Sequence, residues 1–475
     1  MERNSGRKAC PAKTTRYLGV PLSEHSVIHR KIMVAAGVYA PGHLGELTQL
    51  IPFEMVDQAL SATATVRSRV RRLPSRVVVY LLLAGALFEG QGYGQVWQRL
   101  CAGLGALAPK TPTKEALWQA RARVGVRPLR WLFDLLRGPA AAIAGGVRWR
   151  GLLVCAIDGT SMVVPDTQAN TSRWPKQSGN HGGCGYPLIR VVALVACGTR
   201  TIIDAVFGTT STGETTYTWR LLDSLRAGML LLADRNFAAG KLLTAIAATG
   251  ADALIRCKTS SSGPKLPKLA RLPDGSWLSR FGGIQVRVID AEISIATTSG
   301  RHTGHYRWIT TLLDHTRYPA GELATLYHAR WEIETCYLEI KSSILGGRVL
   351  RARTPARIEQ EVYALLIAYQ LLRTAIADAA YTAGIDPDRA SFTIALNSAR
   401  DQLIQAAGVI ADTVIDLIGA IGRQVLTQLM PDRRLRVSPR IVKRAISKYQ
   451  ARGPNINRTS YKATLNIDIL APPNP

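Results

Sequence analysis

Tyr327, Arg330, Glu334 and Lys341 share one segment, YHARWEIETCYLEIKSSI. A carboxylate among an arginine, a lysine and a phenol can do one of two things. As a solvated ion pair, Arg330 and Glu334 at i, i+4 add only about 0.2–0.5 kcal/mol. As working groups, the carboxylate binds a cation while the arginine and lysine hold a phosphate backbone. On a helical wheel of about 100° per residue, Arg330, Glu334 and Lys341 all fall within about 60° of Tyr327. Glu332 and Glu339 fall on the opposite side and read as surface residues. The segment alone leaves both readings open.

Two further carboxylates end apolar runs. GLLVCAID carries Asp158 and MLLLAD carries Asp234. Buried central strands read as continuous apolar stretches, and ligands collect beyond their carboxyl ends. Either aspartate alone could serve a turn or cap a helix. Together they suggest an acidic site to which Glu334 is the third contributor. Asp204 in TIIDAVFG competes, but it lies inside its run, where strand alternation could point it at solvent. Three converging carboxylates repel one another unless a cation neutralises them. An all-oxygen donor set selects Mg²⁺ or Mn²⁺ over zinc. Two such ions about 3.5–4 Å apart would activate a nucleophile and stabilise a leaving oxygen in phosphoryl transfer.

The elements that must hold these groups are legible around them. Residues 151–164, 187–198 and 199–208 read as strands, 211–228 as a helix with Ser211 and Glu214 as a capping box, 229–234 as a strand, 237–250 as a helix and 252–258 as a strand. This order predicts a mixed α/β domain over 149–380, interrupted at 259–322 by a β-rich insertion in which GSWLSRF, IQVRVIDAEI and YRWITTLLD alternate. Residues 41–148 read as a helical N-terminal domain, with helices near 44–60, 76–88, 93–104 and 113–125, the last capped by Thr113 and Gly125. With Arg121 and Arg123, it suits either a DNA-reading helix-turn-helix-like module or a small bundle with a wet arginine face. A helical region with a basic tail is expected over 381–475, and a basic, loosely ordered start over 1–40.

Composition narrows the partner. Across 475 residues, 60 Lys and Arg stand against 33 Asp and Glu, a formal charge of +27. Such an excess seeks polyanions, nucleic acid first and an anionic membrane surface second. Five arginines between 67 and 76 suit phosphate contact. Seven scattered cysteines argue against a disulfide framework, and His181 with Cys184 in HGGC reads as a glycine-rich turn. The apolar run 77–88 is too short to span a bilayer. These features predict a soluble cytoplasmic protein with no membrane partner.

At Tyr327, Arg330, Glu334 and Lys341 the chain resembles the insertion element 4 family of bacterial DDE transposases, whose signature is Tyr, two residues, Arg, three residues, Glu, six residues, Lys. DGT at 158–160 and DRNF at 234–237 resemble the family's two aspartate motifs, and the likeness runs over roughly residues 40 to 450. It implies a ribonuclease H-like catalytic domain with a β-rich insertion. It also implies cut-and-paste transposition: cleavage at element ends, a hairpin intermediate, and strand transfer by the freed 3′-OH. Asp158, Asp234 and Glu334 would then hold two Mg²⁺ ions, for which Mn²⁺ can substitute. Tyr327, Arg330 and Lys341 would contact DNA near the scissile phosphate, with Arg348, Arg351 and Arg353 either continuing its path or forming a solvated face. Trp277 and Trp308 are candidates to receive a flipped base, or are core residues. The implied partners are double-stranded DNA, namely the element's terminal inverted repeats and a target, and a second copy in a synaptic dimer. Two rival readings are a catalytically silent or domesticated DNA-binding protein and a metal-dependent nuclease without strand transfer.

Overall fold

The computed structural model describes residues 43–65, 73–102, 110–138, 148–176, 185–259, 263–298, 300–406, 419–431, 436–437, 459 and 461–471. The expected loose N-terminus, most of the arginine cluster at 67–76, the HGGC turn and most of the basic tail lie outside the described residues.

The centre is a single mixed sheet. Its strands are β1 (Arg148–Trp149), β2 (Leu152–Val163), β3 (Leu188–Ala196), β4 (Ile202–Thr209), β5 (Met229–Ala233), β6 (Asp252–Cys257), β7 (Ala270–Arg271), β8 (Trp277–Phe281), β9 (Ile284–Thr297), β10 (Gly300–Thr310), β11 (Arg436–Val437) and β12 (Tyr461–Ile469). The spatial order is β4-β3-β2-β5-β6-β10-β9-β12. Strands β2, β5 and β6 are parallel, while β3 and β4 run antiparallel beside β2. This is the ribonuclease H-like arrangement. The insertion strands β8, β9 and β10 extend the same sheet, β10 pairing with β6.

Residues of β2 and β5 alternate between two cores. Val154, Ala156, Leu230 and Leu232 face one, and Leu153, Cys155, Ile157, Leu231 and Ala233 face the other. The first is covered by the long helix Pro355–Thr382 and the N-terminal helices, the second by helices Glu214–Thr218 and Gly240–Ala248. Burial on both faces explains why these strands read as unbroken apolar runs.

Several expectations need correction. Pro52 lacks an N–H and begins a helix at Phe53–Ala62, so residues 44–51 form only a short 3₁₀ turn. Thr113 and Gly125 cap their helix as expected, the glycine at φ 66°. Gly213, not Ser211, caps the helix Glu214–Thr218. The C-terminal region is not wholly helical, because Tyr461–Ile469 forms β12 along the outer edge of β9. Helices Phe392–Ala406 and Ala420–Thr427 pack with Pro355–Thr382 and the N-terminal helix Ser75–Leu87, so the two helical ends of the chain share one layer. Arg121 turns inward, its guanidinium 4.0 Å above the Tyr93 ring, which favours the bundle reading at that residue. Pro355–Thr382 is long and apolar enough to cross a membrane, yet 72% of its most apolar window is buried inside the fold.

Candidate active site

Strand register brings the two aspartates together. The parallel pairing of β2 with β5 ends at Ile157 opposite Ala233, so Asp158 and Asp234 are the next residue on each strand. Beyond that point the chains part: β2 continues against β3, while Asp234 turns into the 3₁₀ helix Arg235–Phe237 and accepts a hydrogen bond from Asn236 N at 2.8 Å. The capping role weighed for that residue is therefore real, and its second oxygen accepts from Asn236 Nδ2 at 3.4 Å. Asp204 is buried, not solvated, and pairs with Arg137 and Ser224.

The third group arrives on a broken helix. Residues 327–344 are not one α-helix: Tyr327–Arg330 is 3₁₀, Trp331–Leu338 is α and Glu339–Ile344 is π. Tyrosines fasten the segment to the sheet. Tyr327 Oη donates to Ala233 O at 3.0 Å, immediately before Asp234. Tyr337 Oη donates to Asp158 O at 2.6 Å and accepts from Ala193 N at 3.0 Å. Tyr337 escaped the sequence reading because nothing in its spacing sets it apart from a core aromatic.

Arg330 stands between two of the carboxylates. Its Nη2 is 2.8 Å from Glu334 Oε1 and its Nη1 is 3.6 Å from Asp158 Oδ2. Lys341 Nζ lies 3.1 Å from Thr160 Oγ1, two residues past Asp158. Burial pushes the Asp158 carboxyl up to about 7, and the nearby charges of Asp234 and Glu214 add to it, against the Gly159 N–H and Arg330. Burial likewise raises the Tyr327 hydroxyl.

The donor set is oxygen throughout and suits a hard divalent cation. Asp158, crowded by neighbouring carboxylates and short of solvent, is a group that a cation would stabilise. Among the described residues no three His, Cys, Asp or Glu side chains lie together as a ready metal cage, and the positive charge between Asp158 and Glu334 is Arg330.

The other face of the helix overturns one expectation. Glu332 and Glu339 are buried, not on the surface. Arg200 Nε donates to Glu332 Oε2 at 2.5 Å, and its Nη1 to Glu339 Oε1 at 3.2 Å. Arg373 Nε donates to Glu339 Oε2 at 3.0 Å, and Tyr369 Oη to the same oxygen at 3.1 Å. Arg200 is itself in the left-handed region at φ 58°, uncommon for a residue with a Cβ.

The more distant candidates separate. Arg351 is not free to take a phosphate. Its guanidinium bonds Glu361, Glu89, Gln91 O, Gly85 O and Tyr93, joining the long helix to the N-terminal domain. Arg348 and Arg353 are exposed, Arg348 with only a 3.4 Å contact to Gly90 O. Trp277 and Trp308 are core residues, 2% and 1% exposed, so neither presents a face to a base.

Comparison with known proteins identifies the family. The family model described as insertion element 4 transposase N-terminal matches residues 41–134, and the transposase DDE domain matches 149–371. The chain is 28% identical over 409 residues to the transposase InsG for insertion sequence element IS4 of Escherichia coli strain K12, covering 83% of this chain and 91% of that one. Among solved structures it is similar to a piggyBac transposase synaptic complex with hairpin DNA, at TM-score 0.41 and 11% identity over 80% of each chain. The chain belongs to the insertion element 4 family of DDE transposases, DNA transposases whose phosphoryl-transfer chemistry depends on a divalent metal.

Proposed function

We propose that Asp158, Asp234 and Glu334 form the catalytic triad of a cut-and-paste transposase that cleaves the ends of its own element and joins them to target DNA. The observation that carries this reading is the register of β2 and β5, which sets two aspartates side by side at a strand-end notch while Arg330 draws Glu334 towards Asp158. Bound there, two Mg²⁺ ions would supply an activated water or 3′-OH and charge stabilisation at the leaving oxygen, and Mn²⁺ would serve in their place.

The protein's own groups do the rest. Arg330 keeps Asp158 and Glu334 from repelling each other, and it can turn to a phosphate once a cation takes over that task. Lys341, 3.1 Å from Thr160, places a second positive charge beside the first aspartate, where a scissile phosphate must lie. Tyr327 and Tyr337 hold the backbone at Ala233 and Asp158, so neither aspartate drifts when DNA enters. Exposed Arg348 extends the basic surface towards the N-terminal domain.

The DNA partners are the terminal inverted repeats and a target duplex. Because two ends must be handled together, the working form is a dimer, acting on the nucleoid in the bacterial cytoplasm. The test is incubation of the full chain with Mg²⁺, a supercoiled target and a duplex carrying the inverted repeat that flanks its gene. Joined product supports transposition. Cut ends with no joined product would establish a nuclease without strand transfer, and binding without cutting a silent descendant.

A further inference from the structure

The row of charged residues at the strand ends continues past Asp234. Strand β6 pairs in parallel with β5, and Ala233 lies opposite Ile255, so the residue of β6 beside Asp234 is Arg256. Asp158, Asp234 and Arg256 therefore take successive places across β2, β5 and β6, strands spaced about 4.8 Å apart. They also share a face. Ala156, Leu232 and Leu254, two residues before each of them, all enter the core under the long helix. Side chains two apart in a strand point the same way, and Asp234 keeps an extended backbone at φ −79° and ψ 176°.

Arg256 is fixed from its other side by β10. Trp308 lies opposite it, and Tyr306, two residues along the same face, sets its ring 4.3 Å from the guanidinium. Tyr306 stacks on Trp308, and Trp308 meets the Tyr327 ring edge-on at 5.6 Å. This aromatic row holds Arg256 without neutralising it: among the described residues no carboxylate pairs with it. Its charge still reaches the site. Beyond the larger effect of burial, the Tyr327 hydroxyl is acted on by Arg330, Arg256 and Asp234.

Just past the ends of β5 and β6 the surface opens into a cleft of about 500 Å³. Arg235, Asn236, Lys258 and Phe281 line it, and among the described residues no carboxylate does. A phosphate chain crossing the notch thus meets positive charge on both sides of the aspartates. Lys341 stands beside Thr160 of β2, and Arg256, then Lys258 and Arg235, stand on the side of β6.

We propose that Arg256 binds a phosphate of the end duplex on the Asp234 side of the scissile position, and that the strand it holds leaves the notch through the cleft lined by Arg235 and Lys258. This rests on the reading of Asp158, Asp234 and Glu334 as the catalytic triad. The planar guanidinium fork suits a phosphate, and the Tyr306 ring reduces the cost of ordering it.

The test measures binding and single-turnover cleavage by the full-length chain on end duplexes in which one phosphate at a time is replaced by a neutral methylphosphonate. Wild type should lose about tenfold in affinity at the phosphate that Arg256 contacts. Arg256→Ala should lose that affinity on unmodified DNA and show no further loss when that phosphate is neutral, with every other position as in wild type. Arg256→Lys keeps the charge but not the fork, and should fall between. Lys258→Ala and Arg235→Ala should remove the sensitivity at positions farther from the cut on the same side; an unchanged pattern in both would overturn the path through the cleft. If Arg256→Ala and Arg256→Lys keep the full wild-type pattern while Asp234→Asn binds but does not cut, Arg256 is structural and the proposal is overturned. If Asp234→Asn cuts like wild type, the triad reading falls and takes the proposal with it.

Discussion

Arg200 donates from Nε to Glu332 at 2.5 Å directly beneath the helix that presents Glu334. The pair is buried, and Glu332 and Glu334 leave the same turn of helix in different directions. The position of the proposed third ligand is therefore set by a buried salt-bridge network. Removing one partner of a buried pair leaves an uncompensated charge, at a cost of about 3–5 kcal/mol. Arg200→Met should lower stability by that order in denaturant titration and slow end cleavage. Wild-type stability and cleavage in Arg200→Met would contradict this role for the network.

Arg351 and Arg348 provide a matched contrast. Arg351→Ala removes a guanidinium bonded to Glu89 and Glu361 and should destabilise the fold by about 3–5 kcal/mol, leaving the salt dependence of DNA binding unchanged. Arg348→Ala should leave the melting temperature within about a degree, because surface changes move stability little. It should also reduce the slope of log affinity against log salt. Denaturation and binding isotherms on both variants separate the roles.

Lys341→Ala should weaken binding of end DNA and lower the salt slope by about one counterion. An unchanged slope across about 50–200 mM salt would return Lys341 to a structural contact with Thr160.

A pH dependence follows from the same domain junction. Burial pushes the Glu89 carboxyl from its ordinary 4.5 up to about 8, outweighing Arg351 beside it. A folded-state value above the unfolded one means that the native protein holds a proton the unfolded chain has released. The stabilisation is thus complete below about pH 4.5 and is lost as pH rises through about 8. Across that window Glu89 should progressively erode stability as pH rises. Glu89→Gln should flatten the curve of melting temperature against pH, and identical curves would contradict the assignment.

The strands that carry the aspartates were legible because burial on both faces leaves an apolar run that ends at Asp158 or Asp234. Their juxtaposition was not, since it depends on Ile157 pairing with Ala233 across a crossover. Glu334 was separable from its neighbours by angle alone. Glu332 and Glu339 were misplaced because a wheel assumes one wet face, whereas Arg200 and Arg373 come from distant chain to cover the other side, and the helix changes pitch within six residues of Glu334. Arg351 looked like its exposed neighbours because its partners Glu89 and Tyr93 lie more than 250 residues away in sequence. In β12 the alternation of ATLNIDI was visible, but it sits in a basic tail that drew a helical reading. Glu214 fitted a local capping pattern, whereas Gly213 caps the helix and the Glu214 side chain packs over Gly159, a contact made only in the folded chain.

The central claim is that Asp158, Asp234 and Glu334 act as one metal-dependent unit. Single-turnover cleavage of a labelled end duplex, with binding measured in the same samples, tests it most directly. Asp234→Asn and Glu334→Gln should each cut the rate by at least about a thousandfold while binding the duplex within a few-fold of wild type. Cleavage by either variant near the wild-type rate would contradict the account.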